Sequence, residues 1–560
     1  LEAMALEVPV LTTPANGFLV NAPYLGAFGS HNWAADWTTL GAYGVMTANG
    51  ARLPQTTPLP ATAPTVDVQP GGLNLATAGS TVTLSASVSG ATSFQWYKNG
   101  VAIPGANGST LSLNNARGNA GLEHTGPSSS RPPFQEPVDS GYALISLMSV
   151  GDTVNNKADG VTPHRLTGLL DGLGAFDNGD GTFTVLANHE ITAGSGIVRA
   201  HGAIGAFVSK LVIAKSNLAV LNLSDLATNI QIWNGSGFVQ SNAALARLCS
   251  ADLPAVSAFN FPGGGVGTPN RIFMNGEENT DGRAFAFVAT GPDAGKAWQL
   301  PYLGKFAWEN SVASPFAQTK TIVMGLDDDG TTDSQVYVWI GNKQASGLDI
   351  EKAGLQNGGL YGVQVTGLAQ EVAGTTAVQR NFTLFNFGNV TALSEAQLET
   401  FGNTNGVTAF QRVEDGVWDP ANPRDFYFVT TASFTGTSRL WRMRFNDIAN
   451  PENGGVIDML LDGTEGIKMM DNIGIDADGN LLIQEDVGNQ AHNGKTWKYV
   501  VATDSLVLVS QHRPNLVTTG QPGFLTQDEE ASGIVDVSGI LGYRAYLIAD
   551  QFHTPAGIPA

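Results

Sequence analysis

From residue 138 onward the chain is a succession of short apolar runs cut by Gly, Asp and Asn. TFTVLANHE, RIFMNGEEN, TIVMGLDDDG, QVYVWIG, DFYFVTTAS, RLWRMRF, NLLIQEDVGN, TWKYVVATDSL and AYLIADQFH each read as a strand bounded by turn residues. Their pairs recur at irregular spacing without a strict repeat motif. An all-β fold follows. A β-propeller, in which small sheets repeat radially, is the architecture that houses so many short strands in one domain, and a large β-sandwich is the competing arrangement. Helical patterning is scarce. The spacing predicts one short helix at residues 393–400 (LSEAQLET), with Ser394 as N-cap and Gln397 three residues on as its capping-box partner.

Upstream the pattern changes. Residues 66–117 alternate with period two through STVTLSASV, SFQWYKNGVAIPG and STLSLNNA. The Trp-Tyr-Lys-Asn-Gly hairpin resembles the middle of a bacterial immunoglobulin-like domain, with Trp96 as its core tryptophan. The final strands of such a sandwich do not follow Asn115, so this immunoglobulin-like segment reads as partial, with a spacing or adhesive role. Residues 1–65 read as an N-terminal segment ending in the Pro/Thr-rich linker LPQTTPLPATAPT, and 118–137 as a second linker before a propeller domain at 138–560.

Composition sharpens this picture. Of 560 residues only 14% are charged while 68 are Gly, which suits strands and turns better than helices. Lys+Arg 28 against Asp+Glu 49 gives a net charge of −21, which repels nucleic acid and anionic membranes and supplies carboxylates for hard cations. No apolar run has transmembrane length, and Cys249, the single cysteine, rules out an intrachain disulfide. The opening LEAMALEVPV lacks the charged-then-apolar pattern of a signal peptide, so an export signal has been removed or the sequence begins inside a longer protein.

The acids carry the chemical argument. Glu190 follows FTVLANH, Glu277 and Glu278 follow RIFMNG, Asp327 to Asp329 follow TIVMGL, Glu485 and Asp486 follow NLLIQ, and Asp550 follows AYLIA. In a propeller, equivalent strand ends converge on the channel, where gathered carboxylates repel unless cations compensate them. Taken singly, these motifs are weak. FDNGDGTF and DADGNLL are ordinary turns, and GLDDDGTTD lacks the glutamate of an EF-hand. In FQRVEDGVW an extended backbone puts Arg412 and Glu414 on one face; Arg412 offers a planar fork for a phosphate or a structural salt bridge, and Glu414 a metal ligand. Glu309, between Trp308 and Asn310, needs a partner if buried. Cys249 alone reads as a small buried apolar side chain. No Ser/His pair has a nucleophile context, and His189 beside Glu190 reads as a supporting residue rather than a ligand.

VLANHE, LCSADLPA, NRIFMNGEEN, KFAWEN, FQRVEDGVWD and MMDNIGIDADGNLLIQED, in that order, resemble the motifs of the PhoX-type alkaline phosphatase family over most of residues 138–560. The resemblance implies a β-propeller whose channel holds iron (Fe3+) and calcium and hydrolyses phosphate esters. Carried over by motif, Cys249, Glu309 and Asp486 resemble iron ligands and Glu414 a bridging carboxylate. Glu190 and Glu278, with adjoining Glu277, resemble calcium or iron carboxylates, and Arg412 an arginine that binds the substrate phosphate. The chain departs from the family in having Arg-Val-Glu where Arg-Pro-Glu is usual, and in the stretch SADLPAVSAFNFPGGGVGTP after the cysteine. The expectation is a secreted, periplasmic or cell-surface phosphatase acting on small phosphate esters. The alternative is an extracellular metal-stabilised propeller that binds a ligand without turnover, and a third reading is a calcium propeller hydrolysing sugars or lactones.

Overall fold

The computed structural model describes residues 108–110, 123–139, 141–330 and 332–554, with the backbone of short strands between residues 2 and 113. Every apolar run named above is a strand, and antiparallel meanders arrange them as six blades around a channel, the third and fourth and the fifth and sixth being joined in two ten-stranded sheets. The first blade is Leu170–Asp177, Thr182–His189, Phe207–Ala214 and Val220–Asp225. The second runs Ile272–Gly276, Ala284–Val288 and Lys296–Gln299, is widened outward by Asn229–Trp233 and Phe238–Ser241, and is completed on the channel side by bridges from Leu248 to Glu277 and from Asp252 to Met274. The third holds Trp308–Ala313, Lys320–Asp327, Ser334–Asn342 and Gly358–Val365. The fourth holds Val413–Trp418, Asp425–Thr430, Arg439–Phe445 and Gly455–Leu461, and Arg380–Gly388 joins the outer edges of the third and fourth. Met470–Ile475, Asn480–Asn489, Lys495–Val500 and Ser505–His512 make the fifth.

The sixth blade closes the ring. Asp528–Asp536 and Tyr546–Phe552 are extended by Glu2–Ala3 and Leu144–Ser146, so segments from both ends of the sequence share one sheet. Backbone pairing across the last and first parts of a ring removes two exposed sheet edges.

Apolar side chains fill the wedges between blades. Phe273, Phe285 and Leu186 pack between the first and second, Trp308, Trp339 and Met274 between the second and third, and Phe428, Trp441 and Val338 between the third and fourth. The fifth and sixth meet differently: Asp486 pairs with Glu530 across the sheet, and His512 and Gln135 hydrogen-bond the Asp550 carboxylate at 3.0 and 2.7 Å. Asp550 therefore serves this interface.

The predicted helix is present as Glu395–Thr404, with Ser394 Oγ accepting the Gln397 N–H and Gln397 Oε1 accepting the Ser394 N–H. Within 118–137, expected to be a linker, Glu123–Thr125 pairs with Leu144–Ser146, and Gln135–Pro137 pairs with Ser505–His512. Polar edge strands such as these carry no alternating apolar signal, so they read as linker. Most of the immunoglobulin-like segment, including the side chain of Trp96, lies outside the described residues. Backbone pairing is seen between Val82–Ser85 and Thr110–Leu113 and between Gln95–Lys98 and Val101–Ala102. Gln95–Lys98 also pairs with Val10–Thr13 of the N-terminal segment.

Candidate metal centre

Each blade delivers two side chains to one end of the channel by the same device. Beside the innermost strand's entry, a backbone carbonyl accepts the N–H of a residue near the end of the next strand. Glu190 bonds to Leu169 in this way, Glu278 to Arg247, Asp328 to Ala307, Thr431 to Arg412, Asp486 to Met469 and His553 to Asp528, at 2.9–3.1 Å. Two residues beyond those six acceptors stand Asp171, Cys249, Glu309, Glu414, Asp471 and Glu530. Of the twelve side chains so placed, only that of Thr431 is not an ionisable or metal-ligating type.

The entry turns explain the aim. Leu169, Arg247, Arg412 and Met469 adopt left-handed φ values of 54°, 42°, 59° and 43°. Register shifts then follow in the innermost strands, between Leu170 and Leu173, Trp308 and Asn310, Val413 and Gly416, and Met470 and Ile473. A bulge of this kind turns a side chain out of the regular alternation, here into the channel. Such conformations are costly for non-glycine residues and concentrate at functional sites.

The result is a cavity of about 190 Å³ lined by Glu190, Cys249, Glu278, Glu309, Glu414, Asp471, Asp486 and Glu530 with Asp328 and two arginines. Arg412 forks onto Asp328 through Nε at 3.0 Å and Nη2 at 2.8 Å, and Nη2 also lies 3.0 Å from Glu414. Arg247 bonds Glu190 through Nε at 2.8 Å and reaches Glu278 through Nη2 at 2.5 Å. The two arginines hold equivalent places in their blades, each two residues before an inner-strand ligand type. Beneath them, the Cys249 thiol lies 3.1 Å from Asp171, and Ser250 donates to Glu309 at 2.5 Å. Asn472 ties Asp171 and Ser250 together at 3.1 and 2.6 Å.

Electrostatics say what such an arrangement requires. Burial, and then the neighbouring Glu190 charge, raises Asp171 to about 7. Burial followed by adjacent carboxylates pushes Glu278, Glu309, Glu414, Asp471 and Glu530 well above the usual carboxylate range. The Cys249 thiol is pushed up by burial and then by Asp171. Two guanidiniums cannot neutralise so many acids, and the remaining demand is for protons or metal cations. The residues fit the cations. Asp171, Glu190 and Cys249 bring ligand atoms within 4.8 Å of one another, as do Cys249, Glu278 and Glu309, and Glu309, Glu414 and Asp471. Cys249 and Glu309 are each shared between two of these groups, the arrangement of a site for several adjoining ions.

Of the sequence-predicted residues, Glu190, Cys249, Glu278, Glu309, Arg412, Glu414 and Asp486 all line this cavity. Glu277 does not. Arg283 grips its two oxygens at 2.6 and 2.7 Å and the Ala246 N–H donates to it, so it braces the strand that presents its neighbour. In a strand, successive side chains point to opposite faces, which separates Glu277 from Glu278. Asp328, one of the strand-end acids read from the sequence, lines the cavity as well, whereas sequence reasoning missed Arg247, Asp171, Asp471, Glu530 and His553 as members of the site. Arg247 and Arg412 share a spacing to Cys249 and Glu414 that was available as a signal, and Asp471 stood inside the quoted MMDNIG motif. His189 is fully buried, donates from Nδ1 to the Gly168 carbonyl, bonds the Ser209 hydroxyl through Nε2, and stacks on Phe207, which makes it structural.

No family model matches the chain, and no curated protein matches it. Among solved structures, PhoX of Pseudomonas fluorescens in complex with vanadate, a transition-state analogue, is similar at a TM-score of 0.50 and 12% identity, over 73% of this chain and 89% of that one. At that identity the likeness shows the fold, a PhoX-like propeller. Sqt1 of Chaetomium thermophilum bound to the N-terminus of a ribosomal protein also matches, at a TM-score of 0.31 and 9% identity over 66% of this chain and 92% of that one. That score carries no argument about function. Among the described residues no helix is long and apolar enough to cross a membrane.

Proposed function

We propose that the chain is a metal-dependent phosphatase that hydrolyses small phosphate esters at an iron and calcium cluster in the propeller channel. The observation that carries this reading is one cavity holding both a buried set of carboxylates with a single cysteine and two arginines whose partners are those carboxylates. The motif resemblance supplies the metals and the ester class, and export to the periplasm, cell surface or medium belongs to the same reading. The PhoX-like fold supports it, as does the vanadate bound to that protein.

Cys249, Glu309 and Asp486 are the candidate iron ligands, Glu414 a bridging one, and Glu190 and Glu278 serve calcium or iron; Asp171, Asp471 and Glu530 add oxygen donors. Bound there, the ions would polarise the phosphoryl group, supply an activated oxygen nucleophile and offset the charge of the leaving alkoxide. The chain's own part is to bind and orient. Asp328 holds the Arg412 guanidinium in a fixed plane, which leaves its cavity-facing N–H groups for phosphoryl oxygens that gain charge in the transition state. Arg247 stands in the equivalent place in the second blade and provides a second cation to the same cavity. Burial works against charge at Arg412, yet Glu414 and Asp328 raise it further above its usual range, so it stays cationic at any working pH.

Hydrolysis of p-nitrophenyl phosphate tests the reading. Arg412→Ala is expected to lower kcat/KM by about 100-fold or more, in the range seen when a single transition-state donor is removed. Parent protein that binds iron and calcium but turns over none of several phosphate esters would replace this reading with binding alone.

A further inference from the structure

A second group of acids lies outside the channel, at the far end of strand Lys320–Asp327 where it meets helix Glu395–Thr404. Asp327 is fully buried, Glu395 3% exposed and Glu399 7% exposed. One ligand oxygen from each lies within 4.8 Å of the others, and Asp329, Asp333 and Glu399 form an overlapping group on the more open side. One oxygen of each buried acid has a partner: Asp327 Oδ2 accepts the Gln335 N–H at 3.0 Å, Glu395 Oε2 accepts the Asp281 N–H at 2.8 Å, and Glu399 shares a side-chain hydrogen bond with Asp329. The other oxygens, Asp327 Oδ1, Glu395 Oε1 and Glu399 Oε1, have no hydrogen-bond partner, and neither does the fully buried hydroxyl of Tyr337. Among the described residues no lysine, arginine or histidine forms an ion pair with Asp327, Glu395 or Glu399.

Buried carboxylate oxygens without partners are costly, and three of them in one place compound the cost by mutual repulsion. Glu395 and Glu399 are also four apart on one helix face, a like-charge pairing that works against the helix. The Tyr337 hydroxyl is raised well above its usual range by burial and then by the charges of Asp327, Glu399 and Glu395. The geometry points to a second, structural cation site, formed by Asp327, Glu395 and Glu399 with Asp329 at its mouth, that takes a hard divalent ion of the calcium class. Calcium–oxygen distances of about 2.4 Å allow ligand oxygens up to about 4.8 Å apart, as found here. With oxygen donors only, the set differs from the channel cluster with its thiol and has no preference for iron. Asp328 lies between Asp327 and Asp329, so an ion here would brace the loop whose middle residue aligns Arg412 in the channel.

Terbium luminescence excited through tyrosine and tryptophan tests the site, because Tyr337 pairs across the sheet with Gly325, two residues before Asp327, and stacks on Phe306, which stacks on Trp308. The parent chain is expected to show sensitised terbium emission that calcium displaces. Glu399→Gln and Asp327→Asn are each expected to lower that emission, to bind one fewer calcium ion per chain in equilibrium dialysis, and to show a smaller calcium-dependent rise in unfolding temperature. Glu309→Gln in the channel is expected to keep the part of the emission that Glu399→Gln removes. Parent protein without calcium-displaceable sensitised emission would overturn the proposal whether or not the variants fold. So would folded Glu399→Gln or Asp327→Asn that binds as much calcium as the parent. Neither result depends on phosphatase activity.

Discussion

Cys249 occupies in the second blade the position that the other five blades give to a carboxylate. A lone cysteine in an acidic sequence carries no signal by itself, and its ordinary reading is a small apolar side chain. Its company changes that reading: ligand atoms of Asp171, Glu190, Glu278 and Glu309 lie within reach of its sulfur. A thiolate adds softness that favours iron over calcium at one place in an otherwise oxygen-rich cluster. Cys249→Ser is therefore expected to lower bound iron and bleach any visible thiolate-to-iron absorption while calcium is retained, measured by elemental analysis and absorption spectroscopy. At the same scale, the equivalence of Arg247 and Arg412 shows why a salt bridge and a phosphate site are not opposed readings. Both arginines are salt-bridged, and both face the cavity.

At the scale of the element, most strands and the helix Glu395–Thr404 were legible because they depend on local patterning. The repetition that builds the site was not. Its two contributions per blade are separated by hairpins of unequal length, from Asp471 to Asp486 in one blade and from Cys249 to Glu278 in another, so no fixed period exists in the sequence. The bulges that aim Asp171, Glu309, Glu414 and Asp471 inward break the alternation from which a face is read. In the second blade the channel-side segment forms only isolated bridges, and its position depends on close approach to the first. The Gly172 N–H donates to the Cys249 carbonyl at 3.1 Å, and a Cβ on Gly172 would meet the Ala251 nitrogen at 2.3 Å. Gly172→Ala must push that segment away. It is expected to cost about 1–3 kcal/mol in denaturant unfolding, as overpacking does, and to lower bound iron, because Cys249 moves with the segment.

For the whole molecule, the buried acids tie stability to both pH and cations. Burial raises Asp171 to about 7, Asp252 to about 8 and Asp415 to about 7, against an ordinary value of 3.8. Groups with raised folded-state values bind more protons folded than unfolded, so stability falls as pH rises through that window. Chelator-treated protein is expected to be most stable near pH 4 and to lose stability up to about pH 8 as far as these groups contribute. Cations that take the place of protons at the channel cluster are expected to flatten the profile, as read by thermal unfolding with and without iron and calcium. The ring closure is the feature the sequence hid best, since its partners stand at opposite ends of the chain. Elemental analysis of the purified parent protein tests the central claim most directly. Iron and calcium bound together in stoichiometric amounts is the predicted result, and protein that holds neither after exposure to both would contradict the account.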